Sequence, residues 1–170
     1  MTKSTFPQRK RLRLSGFDYS KAGMYFVTIC SHQRQSLFGW ISEGRMQLSP
    51  SGKILNEEWQ RTTTVRTGIQ LDEYVIMPNH VHGIVIIDYP WLGTRRPEDP
   101  KQSLDRIIWG FKAACTRRIN ASRGETAVLW QRAYYDEIIR NEQHLHRVRT
   151  YIANNPAQWE FDRENLDEVL

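Results

Sequence analysis

The chain of 170 residues predicts an α+β fold: a ferredoxin-like antiparallel sheet with helices packed on it. Three observations lead there. Predicted elements follow the order strand, hairpin, helix, strand, strand, helix, strand, helix. The two middle strands are separated only by the turn formers Pro78-Asn79, which makes their connection tight and antiparallel. An apolar stripe of helical period then separates that pair from the last strand.

Each element has its own signal. Tyr25-Phe-Val-Thr-Ile-Cys30 is a strand by its β-branched and aromatic content, and Leu37 to Leu48 (LFGWISEGRMQL) reads as a hairpin turning at Ser42-Glu-Gly-Arg45. Ser49-Pro-Ser-Gly opens a helix over Lys53 to Arg61. Glu73 to Met77 and His80 to Ile87 are the strand pair. Asp88 to Pro100 (DYPWLGTRRPEDP) holds three prolines and a glycine and is a loop. Leu104, Ile107, Ile108, Phe111, Cys115 and Ile119 form an amphipathic helix face with Ser103 as N-cap. Ala133 to Ile139 is the last strand. Glu142 to Asn154 is the last helix, ended by Pro156, because proline disfavours helix in the residue before it.

Length fits one domain, divided here into a basic arm (1–20), a catalytic-size body (21–160) and an acidic tail (161–170). No apolar run approaches the roughly 20 residues that span a bilayer, and MTKSTFPQRKRLRL lacks the apolar segment of a signal peptide. The expectation is a soluble cytoplasmic protein with no membrane partner. Cys30 and Cys115 form no C-x-x-C pair, which argues against a cysteine zinc site or a disulfide framework and for buried free thiols. Lys and Arg number 24 against 19 Asp and Glu, for a formal charge of +5. Cations cluster at Arg9, Lys10, Arg11 and Arg13, at Arg95 and Arg96, and at Arg117, Arg118 and Arg123. Phosphate-bearing partners suit that distribution, and so does an ordinary solvated surface.

The chemistry concentrates in MPNHVHGIVII, residues 77–87. Along a strand, His80 and His82 point to one face with Cα atoms about 7 Å apart, close enough for two imidazoles to converge on one metal ion. By the same alternation Ile76, Ile84 and Ile86 share their face, and Val75, Met77, Val81, Val85 and Ile87 take the other. Both faces are apolar, so the strand belongs in the middle of the sheet. Two hydrogen-bonded core histidines satisfy the spacing as well as two ligands do. His144 and His146 fall on a helix, where i and i+2 lie about 200° apart and cannot share a metal. On that helix His144, Val148, Tyr151, Ile152 and Asn155 occupy one half, and His146 the other. Tyr151 and Asn155 are one turn apart. A phenol needs a cation nearby to act as a nucleophile at neutral pH, its reference pKa being about 10.

Taken together, Tyr25-Phe-Val-Thr-Ile, Leu37-Phe-Gly, the run from Leu71 through MPNHVHGIV to Val85, Gly110-Phe-Lys, Tyr135-Asp-Glu-Ile-Ile-Arg-Asn and Tyr151-Ile-Ala-Asn-Asn-Pro carry a resemblance. The chain resembles the HUH-type single-strand transposases with one catalytic tyrosine, the IS200-like group, and among them the REP-associated tyrosine transposases. That resemblance implies His80, His82 and Asn155 as ligands of a divalent metal, Mg²⁺ or Mn²⁺, and Tyr151 as the nucleophile. It implies a histidine strand central in a ferredoxin-like sheet. The implied reaction cuts single-stranded DNA beside a hairpin, a REP or other palindromic element, and leaves a 5′-phosphotyrosine and a free 3′-OH. A bacterial, nucleoid-associated location and either one chain or a homodimer go with it. Lys112 matches a lysine common in such chains; it either contacts phosphate or covers the sheet with its stem. Arg9, Lys10, Arg11, Arg13, Arg95, Arg96, Arg117 and Arg118 would contact the DNA backbone, and Trp91, Trp109 or Trp130 would stack on bases or fill the core. After Pro156 the chain departs from the family's Val-x-x-Gly-Leu-like pattern with Ala157-Gln-Trp-Glu-Phe-Asp. The rival reading is a ferredoxin-like single-strand nucleic-acid binder without catalysis, its histidines purely structural.

Overall fold

A computed structural model describes residues 21–88, 103–162 and 164–165. Its centre is a four-stranded antiparallel sheet in the order β4-β5-β1-β6, built from β1 (Gly23–Cys30), β4 (Ile69–Ile76), β5 (His80–Ile87) and β6 (Tyr135–Ile139). A separate hairpin pairs β2 (Gly39–Ser42) with β3 (Arg45–Leu48). It turns through Glu43 and Gly44, both at positive φ of 51° and 68°, the combination that matches strand twist in a two-residue turn. The helices are α1 (Pro50–Thr64), α2 (Leu104–Arg123) and α3 (Glu142–Asn154). Removing the hairpin leaves β1-α1-β4-β5-α2-β6, the split βαβ order the sequence predicts.

Each helix starts at an oxygen that accepts one of its otherwise unpaired N–H groups: Ser49 Oγ from Gly52 N at 3.1 Å, Ser103 Oγ from Arg106 N at 3.3 Å, and Asn141 Oδ1 from His144 N at 2.8 Å. The first helix runs to Thr64, past the expected Arg61, and there the Thr62 and Thr64 hydroxyls donate to the carbonyls of Glu58 and Arg61. The last strand starts two residues later than expected. The carbonyls of Gln131, Arg132 and Ala133 are taken by Lys112 Nζ.

Two apolar layers enclose the sheet. Helices α1 and α2 pack together over one face, where Tyr25, Val27, Ile29, Val81, Val85 and Ile87 meet Trp59, Ile108 and Phe111. On the other face α3 lays Leu145, Val148 and Ile152 against Phe26, Ile84 and Ile139. The strand β5 is interior and buried along nearly its whole length. Ile76 and Val75 exchange the faces that alternation across the turn assigns to them. Ile76 pairs with Val81 and joins the first core, and Val75 pairs with His82 and joins the second. Opposed residues of an antiparallel pair share a face, so the hairpin register decides the parity.

Cys30 and Cys115 are buried thiols that form no disulfide, as expected. Arg9, Lys10, Arg11, Arg13, Trp91, Arg95 and Arg96 lie outside the described residues. Of the acidic segment 161–170, residues 161, 162, 164 and 165 are described. Among the described residues no helix is long and apolar enough to cross a membrane.

Candidate active site

The histidine strand enters the sheet beside the end of β1, with Cys30 opposite His80 and Thr28 opposite His82. Both imidazoles are buried on the α3 side, and their Nε2 atoms face each other at 2.9 Å. Their outer nitrogens are each held. His80 Nδ1 lies 2.8 Å from Asn79 Oδ1. The Asn79 amide nitrogen donates to the backbone carbonyls of Arg34 and Glu164, at 3.2 and 2.7 Å, which leaves Oδ1 as an acceptor. His80 Nδ1 therefore carries the proton, and in the neutral ring Nε2 offers a lone pair to the site. His82 Nδ1 is bonded to Thr28 Oγ1 at 2.8 Å, and the His82 ring stacks on Phe26 at 5.4 Å between centroids. Burial, then the neighbouring His82, pushes His80 well below the usual imidazole range.

The helix α3 brings Tyr151 and Asn155 over the same point. Tyr151 Oη is 3.3 Å from His82 Nε2, and its ring meets Phe26 edge-on at 6.0 Å. It is 37 % exposed, reached by solvent while the two imidazoles are buried. Asn155 is buried one turn on, where its Nδ2 donates to Asp162 Oδ2 at 2.8 Å. That carboxylate oxygen lies 4.0 Å from His80 Nε2 and 3.9 Å from His82 Nε2. The 3-10 segment Pro156–Phe161 carries the chain back from α3 to place it there. Burial by itself raises the Asp162 carboxyl, yet His82, the Glu164 N–H, His80 and the Asn155 amide together hold it below the usual carboxylate range.

Ligand atoms of His80, His82 and Asp162 all lie within 4.8 Å of one another. Asn155 Oδ1, buried in the same cluster, has no hydrogen-bond partner. A bare amide oxygen, a carboxylate kept ionised and two converging imidazole nitrogens, with the His80 ring pushed toward its neutral form, make an oxygen and nitrogen donor set suited to a divalent cation. The residues fit the metal group that the paired histidines imply.

The model of the family described as "Transposase IS200 like" matches residues 19–155. The chain belongs to the IS200-like transposase family. An uncharacterized protein of Haemophilus influenzae is 35% identical over 94% of each chain. The chain also resembles the solved structure of a REP-associated tyrosine transposase bound to a REP hairpin, with a TM-score of 0.60 and 18% identity over 86% of this chain and 74% of that one. At that identity the likeness speaks for the fold.

In this IS200-like chain the cations expected at DNA that fall among the described residues are dispersed. Lys112 is committed to its three carbonyls, and burial lowers its ammonium to about 8. Arg118 is clamped by Glu57 and Glu58, at 2.5 and 2.7 Å, on the α1 and α2 side of the sheet. Arg117 is exposed on the same helix. Trp130 is buried, its Nε1 donating to Lys112 O, whereas Trp109 is 76 % exposed. His144 turns to Glu137 at 3.2 Å, and His146 is exposed. Asp162 escapes sequence reading because it follows Tyr151 by eleven positions with no periodic link to it. The departure at Ala157-Gln-Trp-Glu-Phe-Asp is the one signal that a different segment closes the site.

Proposed function

We propose that this IS200-like transposase cuts and rejoins single-stranded DNA beside hairpins by transesterification through a 5′-phosphotyrosine. Tyr151 is the nucleophile, and His80, His82 and Asp162, with the amide oxygen of Asn155, hold Mg²⁺ or Mn²⁺. The observation that carries the reading is the convergence of the Tyr151 hydroxyl, two imidazole nitrogens and a carboxylate on one point at the mouth of a rigid central strand. The solved relative bound to a REP hairpin supports a hairpin as the partner of this chain too.

When bound, the metal supplies charge neutralisation at the scissile phosphate and favours attack on phosphorus. The chain's own residues do the rest. Tyr151 Oη attacks phosphorus as the bond to the 3′-oxygen breaks, and the phenolic proton passes to water. One strand is left on the tyrosine by its 5′-phosphate, and the other ends in a 3′-OH. One phosphate ester replaces another, so a 3′-OH can later attack the phosphotyrosine and restore the diester without ATP. Phe26 and His82 hold the phenol ring between them, which limits the orientations it samples. Asn79 and Thr28 hold the imidazoles in turn. The basic arm of residues 1–20 and Arg117 add sequence-independent phosphate contacts.

The test is incubation with hairpin-bearing single-stranded oligonucleotides from DNA flanking the gene, with and without Mg²⁺ or Mn²⁺. The expected product is a covalent protein–DNA adduct that needs the metal and is absent in Tyr151→Phe. Equal adduct from that variant removes Tyr151 from its role. Hairpin binding indifferent to chelation, with no adduct, restores the reading as a plain binder.

A further inference from the structure

On the far side of the sheet from Tyr151, the chain carries a second concave site that the reaction does not use. Asp105, Arg106, Trp109 and Lys112 of α2, with Arg132 and Tyr134 from the segment before β6, line a cavity of about 300 Å³. That is the lower end of the size of small-ligand pockets. The indole of Trp109 stands at it 76 % exposed, while Ile107, Ile108 and Phe111 on the same helix are buried in the core.

The surroundings of that indole are cationic. Arg106 and Arg132 flank it, and Arg66 Nη2 reaches the carbonyl of Arg106 at 3.4 Å. Burial, and to a lesser degree the charge of Arg106, lower the Arg66 guanidinium from its usual range. Lys112 stiffens the wall. Its ammonium binds the carbonyls of residues 131–133 and lies 5.7 Å from the Tyr134 ring centre. The one acid lining the cavity, Asp105, accepts from Tyr134 Oη at 2.9 Å and fixes that ring as the opposite wall.

Tyr134 also lines a second, smaller cavity together with Thr28 and Glu164. Thr28 holds His82, and Glu164 donates its N–H to Asp162 at 2.7 Å. Tyr134 therefore borders both cavities, and the smaller one is lined by two residues, Thr28 and Glu164, that bond to members of the candidate active site.

We infer that the Trp109 cavity is a subsite for unpaired DNA. One base of the strand flanking the scissile phosphate stacks on the indole, and Arg106 and Arg132 take the adjoining phosphates. An aromatic face beside cations accepts any base whose own face is free, which a duplex does not offer. The inference rests on the reading of the chain as a single-strand DNA enzyme, and adds to it a place for DNA away from the hairpin and the scissile bond.

The test uses the full chain and a fluorescein-labelled oligothymidylate of about 20 nucleotides, long enough to track such a groove, followed by anisotropy. Trp109→Ala is expected to weaken binding by about 5- to 100-fold and Trp109→Phe to restore most of it. Arg106→Gln and Arg132→Gln should each reduce the salt slope by about 0.7. A 5-iododeoxyuridine version should photocrosslink to the peptide containing Trp109. The inference is overturned if wild type fails to bind, if Trp109→Ala binds within about twofold of wild type, or if the duplex competes as well as the single strand. The two readings fail separately. Trp109-dependent binding without any Tyr151 adduct keeps the subsite and loses the mechanism, and an adduct with Trp109→Ala binding unchanged does the reverse.

Discussion

Replacing Gly83 by alanine tests whether the strand that carries the histidines owes its position to the core behind it. Gly83 follows His82 and faces α1, where a Cβ would lie 2.4 Å from Trp59 Cζ2 and 3.1 and 3.2 Å from two further indole carbons. Carbon atoms in contact sit about 3.5 to 4.0 Å apart, so the strand or the indole must move by about 1 Å. Trp59 has little room to give. It is 1 % exposed and wedged edge-on against Phe111, with ring centres 5.0 Å apart, and beside Tyr74. Overpacking of this kind costs about 1 to 3 kcal/mol, which for a chain of this size lowers Tm by roughly 2 to 12 °C. Urea unfolding followed by circular dichroism measures the loss. Trp59→Phe combined with Gly83→Ala should cost less than the sum of the two single changes, since the smaller ring vacates the contact. If the strand yields rather than the indole, strand cleavage falls as well, because a 1 Å misplacement of catalytic groups can cost about 100-fold. Stability of Gly83→Ala within about 0.5 kcal/mol of wild type refutes the packing argument.

Other predictions concern the site directly. Asp162→Asn should weaken Mn²⁺ binding at least about tenfold by calorimetry with the fold intact, and affinity equal to wild type would remove Asp162 from the ligand set. Asn79→Ala leaves His80 Nδ1 and two backbone carbonyls without their partner; Mn²⁺ affinity should fall about 10- to 100-fold although Asn79 touches no metal, measured the same way. Metal-free protein should lose stability as pH falls below about 6.5. His80 has its folded pKa lowered, so the unfolded chain binds more protons there, and the slope reaches about 1.4 kcal/mol per pH unit. Asp162, also lowered, adds its share only as pH falls below the ordinary carboxylate value of 3.8. Denaturation of wild type and His80→Gln across that range should show the upper part of the slope vanish in the variant. Mn²⁺ at 100 times its Kd should add about 2.7 kcal/mol to wild-type stability at neutral pH, read as a thermal shift that chelator reverses.

What the amino-acid sequence determined by itself is what depends on neighbours in the chain. The alternation of a strand sets His80 and His82 on one face, and the helical turn sets Tyr151 beside Asn155 and His146 away from them. Ser103 caps its helix through a contact three residues long. These features were legible because their geometry is set within one or two turns of backbone. Tertiary structure alone decided the rest. The face of Ile76 depended on hairpin register, the commitments of Arg118 and Lys112 on which carboxylates and carbonyls pack beside α2, and the entry of Asp162 on how the chain returns after α3. The charge of a side chain can be read from the sequence, but its partner is chosen by residues far away in the chain, and that choice exists only once the layers have closed on the sheet.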